Sequence, residues 1–543
     1  MRRNVFALLL LAAFIFQTAA FAQAPAVKIS AAEKQMLESV TAKQLSDYLH
    51  FVASDEMEGR DTPSRGLDLT AKFIATNLSR WGLKPAGDNG TFFQKIALDR
   101  QVVDVEKTML QINGQAMKPG DDFLRLRGNR AVTAPMVFGS HGWLVKSKGV
   151  DAYQGVDVKG KIVVLYSSQF NPSTFTAAPE GVSEADMTGT KGVDWADPLS
   201  YAAQSGAVGI IAIAPPSFQA NWNNLKNYFS GGGLYPQKLR PSAAAGSDLP
   251  ILLVSQSAGD KILAGESADR SSVTPFAINK TANMAAVSKN DVVWTQNVVA
   301  LWEGSDPTLK SEMVAIGAHY DHDGIKLTAK GEDKIYNGAD DDGSGTVAVL
   351  AIAEALANSP VRPKRSVLFV WHCGEEKGLW GSEYFNKFPT VDIKNVVAQL
   401  NIDMIGRSRK PDDTNPKNKE LTTENEIYVI GSEMMSSTLG AVTKGANSAY
   451  LNLSYNYLYD DPKDTNRFFF RSDHFNYAMN GIPIVFWFDG VHEDYHQPGD
   501  HPDKIDYAKM ERVTRTILLT LLELTDLKER PKVDKQLPPE LRK

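Results

Sequence analysis

Apolar positions recur at helical spacing in several stretches of the chain. Over 71–83, Phe73, Ile74, Leu78 and Trp81 share one face, and Gly82 and Pro85 supply stop signals. Val349, Ile352, Ala353 and Leu356 stand at i, i+3, i+4 and i+7, which predicts an amphipathic helix over 345–357. Residues 378–388 also read as helix, and Val513, Ile517, Leu521 and Leu524 mark a last one. Between these lie short apolar runs with strand character at 313–318, 366–371, 396–402, 427–430 and 482–488. Strands alternating with helices predict an α/β class: an α/β/α sandwich around a mixed, mostly parallel sheet.

Patterning changes over 131–288, where Ala, Gly, Ser and Val dominate. Short strands such as 161–166 (KIVVLY) and 208–214 (VGIIAIA) alternate there with Gly- and Pro-rich loops, predicting a smaller β-rich module. At the start, Arg2 and Arg3 precede twelve apolar residues from Val5 to Phe16, then Ala20-Phe21-Ala22 and Ala22-Gln23-Ala24 offer small-x-small cleavage sites. A span needs roughly 20 apolar residues, so 1–22 is expected to be a secretory leader rather than an anchor. The expected organisation is a leader at 1–22, a mixed N-terminal segment at 23–130, the β-rich module at 131–288, the α/β domain at 289–528 and a polar, Pro-containing tail at 529–543. Export to a periplasm or beyond follows, with no stable membrane span.

Composition narrows the chemistry. Of 543 residues, 43% are hydrophobic and 22% charged, as in ordinary globular chains. The net charge is −6, so there is no basic field for a nucleic-acid partner. A single cysteine, Cys373, excludes an internal disulfide framework and Cys-rich metal modules. Any metal must therefore be held by His and carboxylates. Seven of the nine histidines lie between His319 and His501, which places the chemistry in the α/β domain.

Five constellations there carry reactive groups. His319 and Asp321 close a strand and share its face, a pairing that suits a metal ligand with its orienting acid and equally a buried structural pair. Asn337 to Gly345 (NGADDDGSG) sets three acids in a row before a helix, which suits a bridging metal carboxylate or a solvated cap. It fails the EF-hand pattern, because Gly338 stands where an acid is needed. Glu375 and Glu376 follow a strand, as does Asp403, and ligands gather at such carboxyl ends. Tyr495-His496-Gln497-Pro498-Gly499-Asp500 comes last. His492 to His496 also matches H-E-x-x-H, but that zinc motif needs a helix, and Gly490, Pro498 and Gly499 leave little room for one.

Taken in order, AHYDHDG at 318–324, NGADDDGSG at 337–345, GEEKGLWGSEYF at 374–385, NIDMIG at 401–406, RSDHF at 471–475 and YHQPGD at 495–500 resemble the co-catalytic dizinc exopeptidases, metallopeptidase family twenty-eight. DEMEGRDTPSRG at 55–66 and GLKPAG at 82–87 resemble the N-terminal part of bacterial members, and 131–288 resembles an inserted protease-associated domain. The resemblance implies two divalent metals, zinc foremost, with manganese or cobalt also open. It implies Asp341 as bridge, His319 and Asp403 on one metal, Glu376 and His496 on the other, and Glu375 as general base. Asp321 would orient His319 and Asp473 would be a supporting acid. Three ligand carboxylates and a hydroxide would balance two divalent cations. Tyr455, Tyr457 and Tyr459 are candidates for a transition-state donor.

The implied activity is aminopeptidase action on peptide substrates. A carboxypeptidase on the same fold is the alternative, and a receptor-like binding protein is the alternative from another class. A one-metal glutaminyl cyclase fits the five-ligand set poorly, and a serine hydrolase lacks any G-x-S-x-G elbow. Side-chain preference and oligomeric state are not legible in the sequence.

Overall fold

The four inner strands of the α/β region are largely apolar and buried at every position: β2 (Met313–His319), β3 (Ser366–His372), β4 (Val396–Ile402) and β7 (Ile484–Phe488). Continuous apolar runs of this kind suit parallel strands covered on both faces. In the computed structural model they pair in parallel, in the order β3-β2-β4-β7. Antiparallel neighbours flank them: β1 (Ser288–Trp302) beside β3, and β5 (Glu426–Ile430) beside β7, with the short β6 (Ser454–Asn456) parallel to β5. The mixed, mostly parallel sheet and its covering helices are the α/β sandwich expected from the alternation.

The structure describes residues 27–542 except 170, 172, 173, 175, 231, 232, 241–248, 328 and 330; the leader expected at 1–22 lies outside the described residues. The chain divides into two compact units, one of residues up to 95 with 296 onward, the other of 96–295. Among the described residues no helix is long and apolar enough to cross a membrane.

In the first unit the N-terminal residues form α1 (Ala31–Ser39), α2 (Ala42–Val52) and α3 (Arg65–Arg80). Ser30 and Thr41 begin the first two with reciprocal capping boxes to Glu33 and Gln44. Helix α3 starts six residues before the apolar spacing suggests, because Ser64 accepts the Leu67 N–H and caps it there. Helix α4 (Gly345–Ala357) has the expected bounds but is buried almost all round, since α1, α2 and the long α8 (Tyr507–Asp526) cover its outer face. The N–H of buried Trp371 on β3 donates to the Thr346 carbonyl of α4 at 3.0 Å, and truncating such a ring to Ala costs roughly 3–5 kcal/mol. Sheet and helix are thereby fixed next to the loops that carry the reactive groups. The remaining helices, α5 (Trp380–Lys387), α6 (Ser437–Ala449) and α7 (His474–Met479), complete the layers.

The final segment corrects the expectation of a polar tail. Leu537 and Leu541 are 7% and 2% exposed and join the apolar cluster around Met434, Met435 and Phe468. Two leucines four residues apart, among prolines and charges, give too short a pattern to read as a buried strap.

The second unit is built on an eight-stranded sheet that alternates its side chains strictly. Ile162, Val164 and Ile211 enter one apolar cluster, while Val163, Leu165 and Ile210 enter another on the opposite face. The unit begins at 96 rather than 131, because Met109–Ile112 pairs with Phe276–Ala286 and Phe123–Arg127 pairs with Ile251–Val254. Such long-range pairing leaves no mark on local composition.

Candidate active site

The carboxyl ends of β2, β3, β4 and β7 point the same way, and the reactive groups of the first unit gather there. His319 is the last residue of β2, Glu375 and Glu376 lie in the loop after β3, Asp403 follows β4, and His496 lies in a turn beyond β7. Asp341 sits between β2 and α4. The three consecutive acids divide their tasks. Asp342 accepts N–H bonds from His319 and Met404 at 3.2 Å and from Gly345 at 2.8 Å. Asp340 accepts the Gly406 N–H at 2.7 Å and lies 3.3 Å from His492. Asp341 alone faces the two imidazoles.

Its two oxygens serve different rings: Oδ1 is 3.2 Å from His319 Nε2, and Oδ2 is 3.1 Å from His496 Nε2. Around His319 Nε2 stand Asp403 Oδ1 at 3.7 Å and Glu375 Oε2 at 4.0 Å. Glu376 Oε2 is 3.2 Å from His496 Nε2. The other nitrogen of His319 faces Asp321, with the Asp321 carbonyl at 3.1 Å and its Oδ1 at 3.7 Å. Asp321 Oδ1 also accepts the Glu375 N–H at 3.2 Å, joining the two loops. Asp473 lies further back, buried, 3.5 Å from His372 Nδ1. His319, Asp321, Asp341, Glu375, Glu376, Asp403 and His496 thus fall in one cluster, with Asp473 behind it.

Electrostatics follow from this crowding. Burial opposes ionisation of Asp341, yet hydrogen bonds from His319 and His496 hold it well below the usual carboxylate range. Burial likewise disfavours a charged His319, but Glu375 and Asp403 push its pKa well up. Burial pushes Glu375 well above the ordinary range, with Glu376 and Asp403 adding to the effect and His319 opposing it. Asp473 is raised to about 7, chiefly by burial. Donor atoms of His319, Glu375 and Asp403, of His322, Asp341 and Glu376, and of Asp323, Glu376 and His496 each lie within 4.8 Å of one another, close enough to hold metal ions.

Several participants escaped the sequence reading. His322 is fully buried with Nδ1 2.7 Å from Glu376 Oε1, and Asp323 Oδ2 is 3.5 Å from His496 Nδ1. Their positions in HYDHDG are the signal that was available. Tyr495 lines a cavity with Asp341, Glu375, Asp403, Phe468, Phe486 and Arg471. The tyrosines singled out earlier do not line it. Tyr455 faces Trp487, Tyr459 bonds to Glu420, and Tyr457 meets Tyr455 edge to face. The adjacency of Tyr495 to His496 was the better clue. Residues 493–496 form turns rather than a helix, and His492 is buried against Asp340, which disposes of the H-E-x-x-H match.

Residues 297–521 match the Peptidase family M28 profile. Over 226 residues the chain is 27% identical to a probable leucine aminopeptidase of Trichophyton verrucosum (strain HKI 0517), covering 40% of this chain and 56% of that protein. Leucine aminopeptidase 2 of Trichophyton rubrum is 25% identical over 287 residues, 48% of this chain and 51% of its own length. The chain thus spans about half the length of these curated relatives. Among solved structures, an aminopeptidase from Aneurinibacillus sp. strain AM-1 aligns over 94% of this chain and 98% of its own, at 16% identity and a TM-score of 0.48. Residues 297–521, which carry His319, Asp341, Glu376, Asp403 and His496, are thus the part of the chain that is similar to Peptidase family M28.

Proposed function

We propose that the protein is an exported, zinc-dependent aminopeptidase with a two-metal centre, Asp341 bridging, His319 and Asp403 on one side and Glu376 and His496 on the other. The observation that carries this reading is the split of Asp341, one oxygen 3.2 Å from His319 and the other 3.1 Å from His496. Ligands on one tetrahedral zinc stand about 3.4 Å apart, given metal–donor distances of about 2.0–2.2 Å. The spacings of 3.1–3.7 Å among these donors fit that geometry. The leader in the sequence supports export, the Gly-rich module supports a protease-associated insert, and the relatives named leucine aminopeptidase support the reaction.

Held by His319, Asp341, Glu376, Asp403 and His496, two divalent cations would supply Lewis acidity to a water and to the scissile carbonyl. Glu375 takes the water proton and passes it to the leaving nitrogen, a task suited to a buried carboxyl beside the donor cluster. Arg471 donates an N–H to the Tyr495 oxygen at 3.0 Å, so the phenolic proton is free to stabilise charge developing on the substrate oxygen. Phe468, Phe486 and Phe488 line the cavity and receive an apolar side chain. The carboxylates around the cluster suit a free amino terminus. Arg471 also favours the second reading, because a carboxypeptidase needs a cation for the substrate's terminal carboxylate.

The test is hydrolysis of an aminoacyl anilide panel, with matched N-acetylated and free-amine peptides, before and after chelation and zinc add-back. Loss on chelation, recovery on add-back and preference for free amines are expected. Activity indifferent to chelation would sink the metal reading, and equal cleavage of acetylated peptides would sink the aminopeptidase reading.

A further inference from the structure

Arg60 is one of the largest fully buried side chains in the protein, and its N–H groups go to main-chain carbonyls instead of a paired carboxylate. It donates to Tyr320 O at 2.9 Å, Asn337 O at 2.6 Å, Gly338 O at 2.8 Å and Val52 O at 2.9 Å. Tyr320 lies between His319 and Asp321. Asn337 and Gly338 lead into the Asp341 turn. Two residues on, buried Thr62 accepts the Gly374 N–H at 3.0 Å, directly before Glu375 and Glu376, and Asp61 pairs with Lys377 at 2.7 Å. The carbonyl of Arg60 accepts the His322 N–H at 3.2 Å. Asn337 answers by donating to Ala53 O and Asp55 Oδ1.

The backbone here is unusual as well. Glu58, Gly59 and Arg60 have φ of 52°, 66° and 52°, three left-handed residues in succession. Two of them carry side chains that disfavour this region, and such strain persists only where the surroundings impose it. A Cβ on Gly59 would stand 2.5 Å from the Tyr336 carbonyl, so the segment is pressed against the strand that precedes Asn337. The Arg60 charge also faces Asp321, Asp342, Asp500 and Asp341, offsetting the negative charge gathered there.

We propose that residues 60–62 are a positioning clamp for the metal centre: Arg60 fixes the His319 and Asp341 loops through their carbonyls, and Thr62 fixes the Glu375–Glu376 loop through the Gly374 N–H. These residues touch no reacting atom and act through the loops they hold. The inference rests on the two-metal reading above.

Its test uses the full chain as T62V, T62S and R60K, comparing melting temperature with and without zinc, zinc affinity by chelator competition, and kcat against KM. Valine keeps the volume of Thr62 and removes its acceptor oxygen; serine keeps that oxygen. For T62V we expect zinc affinity to fall about tenfold, as for residues that orient ligands from behind. The zinc-induced rise in melting temperature should shrink, kcat should fall more than KM changes, and T62S should restore all three. R60K should behave as T62V does; if it fails to fold, the T62V and T62S pair decides. A wild-type zinc-induced rise in T62V, whether or not the zinc-free melting temperature drops, would reduce the segment to a structural role and overturn the proposal. If the wild-type protein itself shows no zinc-induced rise, the two-metal reading fails instead.

Discussion

The two halves of the donor cluster are built differently. His319 and Asp403 sit at the ends of inner strands, nearly sealed from solvent, and the main chain at or next to each is tied to the Asp342 carboxylate. His496 lies in a turn, is 34% exposed, and holds a left-handed φ of 51° against the Tyr495 ring. Its partner Glu376 is contested by His322 at 2.7 Å. The strand-end half is therefore preorganised, while the turn half depends on loops that must be held from outside. Binding is expected to be tighter and slower to exchange in the first half than in the second.

The largest effect should come from abolishing the distinction. Asp341→Ala removes the group shared by both halves, so metal analysis should find neither site filled and turnover lost; two full equivalents would contradict the bridge. Glu375→Gln should leave both metals in place and lower kcat about 10²–10⁴-fold, the usual weight of a general base. His496→Ala should then separate the halves, losing one metal equivalent while the strand-end metal stays. Loss of both together would mean that the halves are not independent. Asp321→Asn, acting behind His319, should weaken the strand-end site about 10–100-fold, measured by chelator competition, and leave the other unchanged.

The smallest effect concerns Asp473, also on the strand-end side. Its folded pKa is raised to about 7 from an ordinary 3.8, so the folded protein holds a proton that the unfolded chain releases. The associated stability is present below about 4 and is lost as pH rises through about 7. In metal-free protein, Asp473→Asn should flatten the fall in melting temperature across that window. An unchanged slope would assign it to other groups.

Much of the strand-end half was legible in the sequence, because strands with unbroken apolar runs announce both their burial and their ends. His319 and Asp403 each stand where a buried, largely apolar strand stops. The family resemblance marks out Asp341, but the tasks of Asp340 and Asp342 are not readable, since they depend on which N–H groups the fold brings to each carboxylate. Nor was the contribution of Arg60, three of whose four carbonyl partners lie more than 250 residues away in the chain. Tyr495 was passed over because aromatic residues are common, and only the cavity distinguishes it from Tyr455. The boundary at 96 was hidden for the same reason, being fixed by pairing across some 170 residues.

The C-terminal strap has a practical side. Leu537 and Leu541 are inserted beside Met435, and Asp534 accepts bonds from Ser437 at the start of α6. Shortening the protein at 528, just past the family match that ends at 521, would uncover apolar surface; each leucine withdrawn forfeits about 1.5–3 kcal/mol of burial. An affinity handle is better attached beyond residue 542 through a flexible spacer, and clipping by host proteases in that stretch would announce itself as aggregation before any change in catalysis.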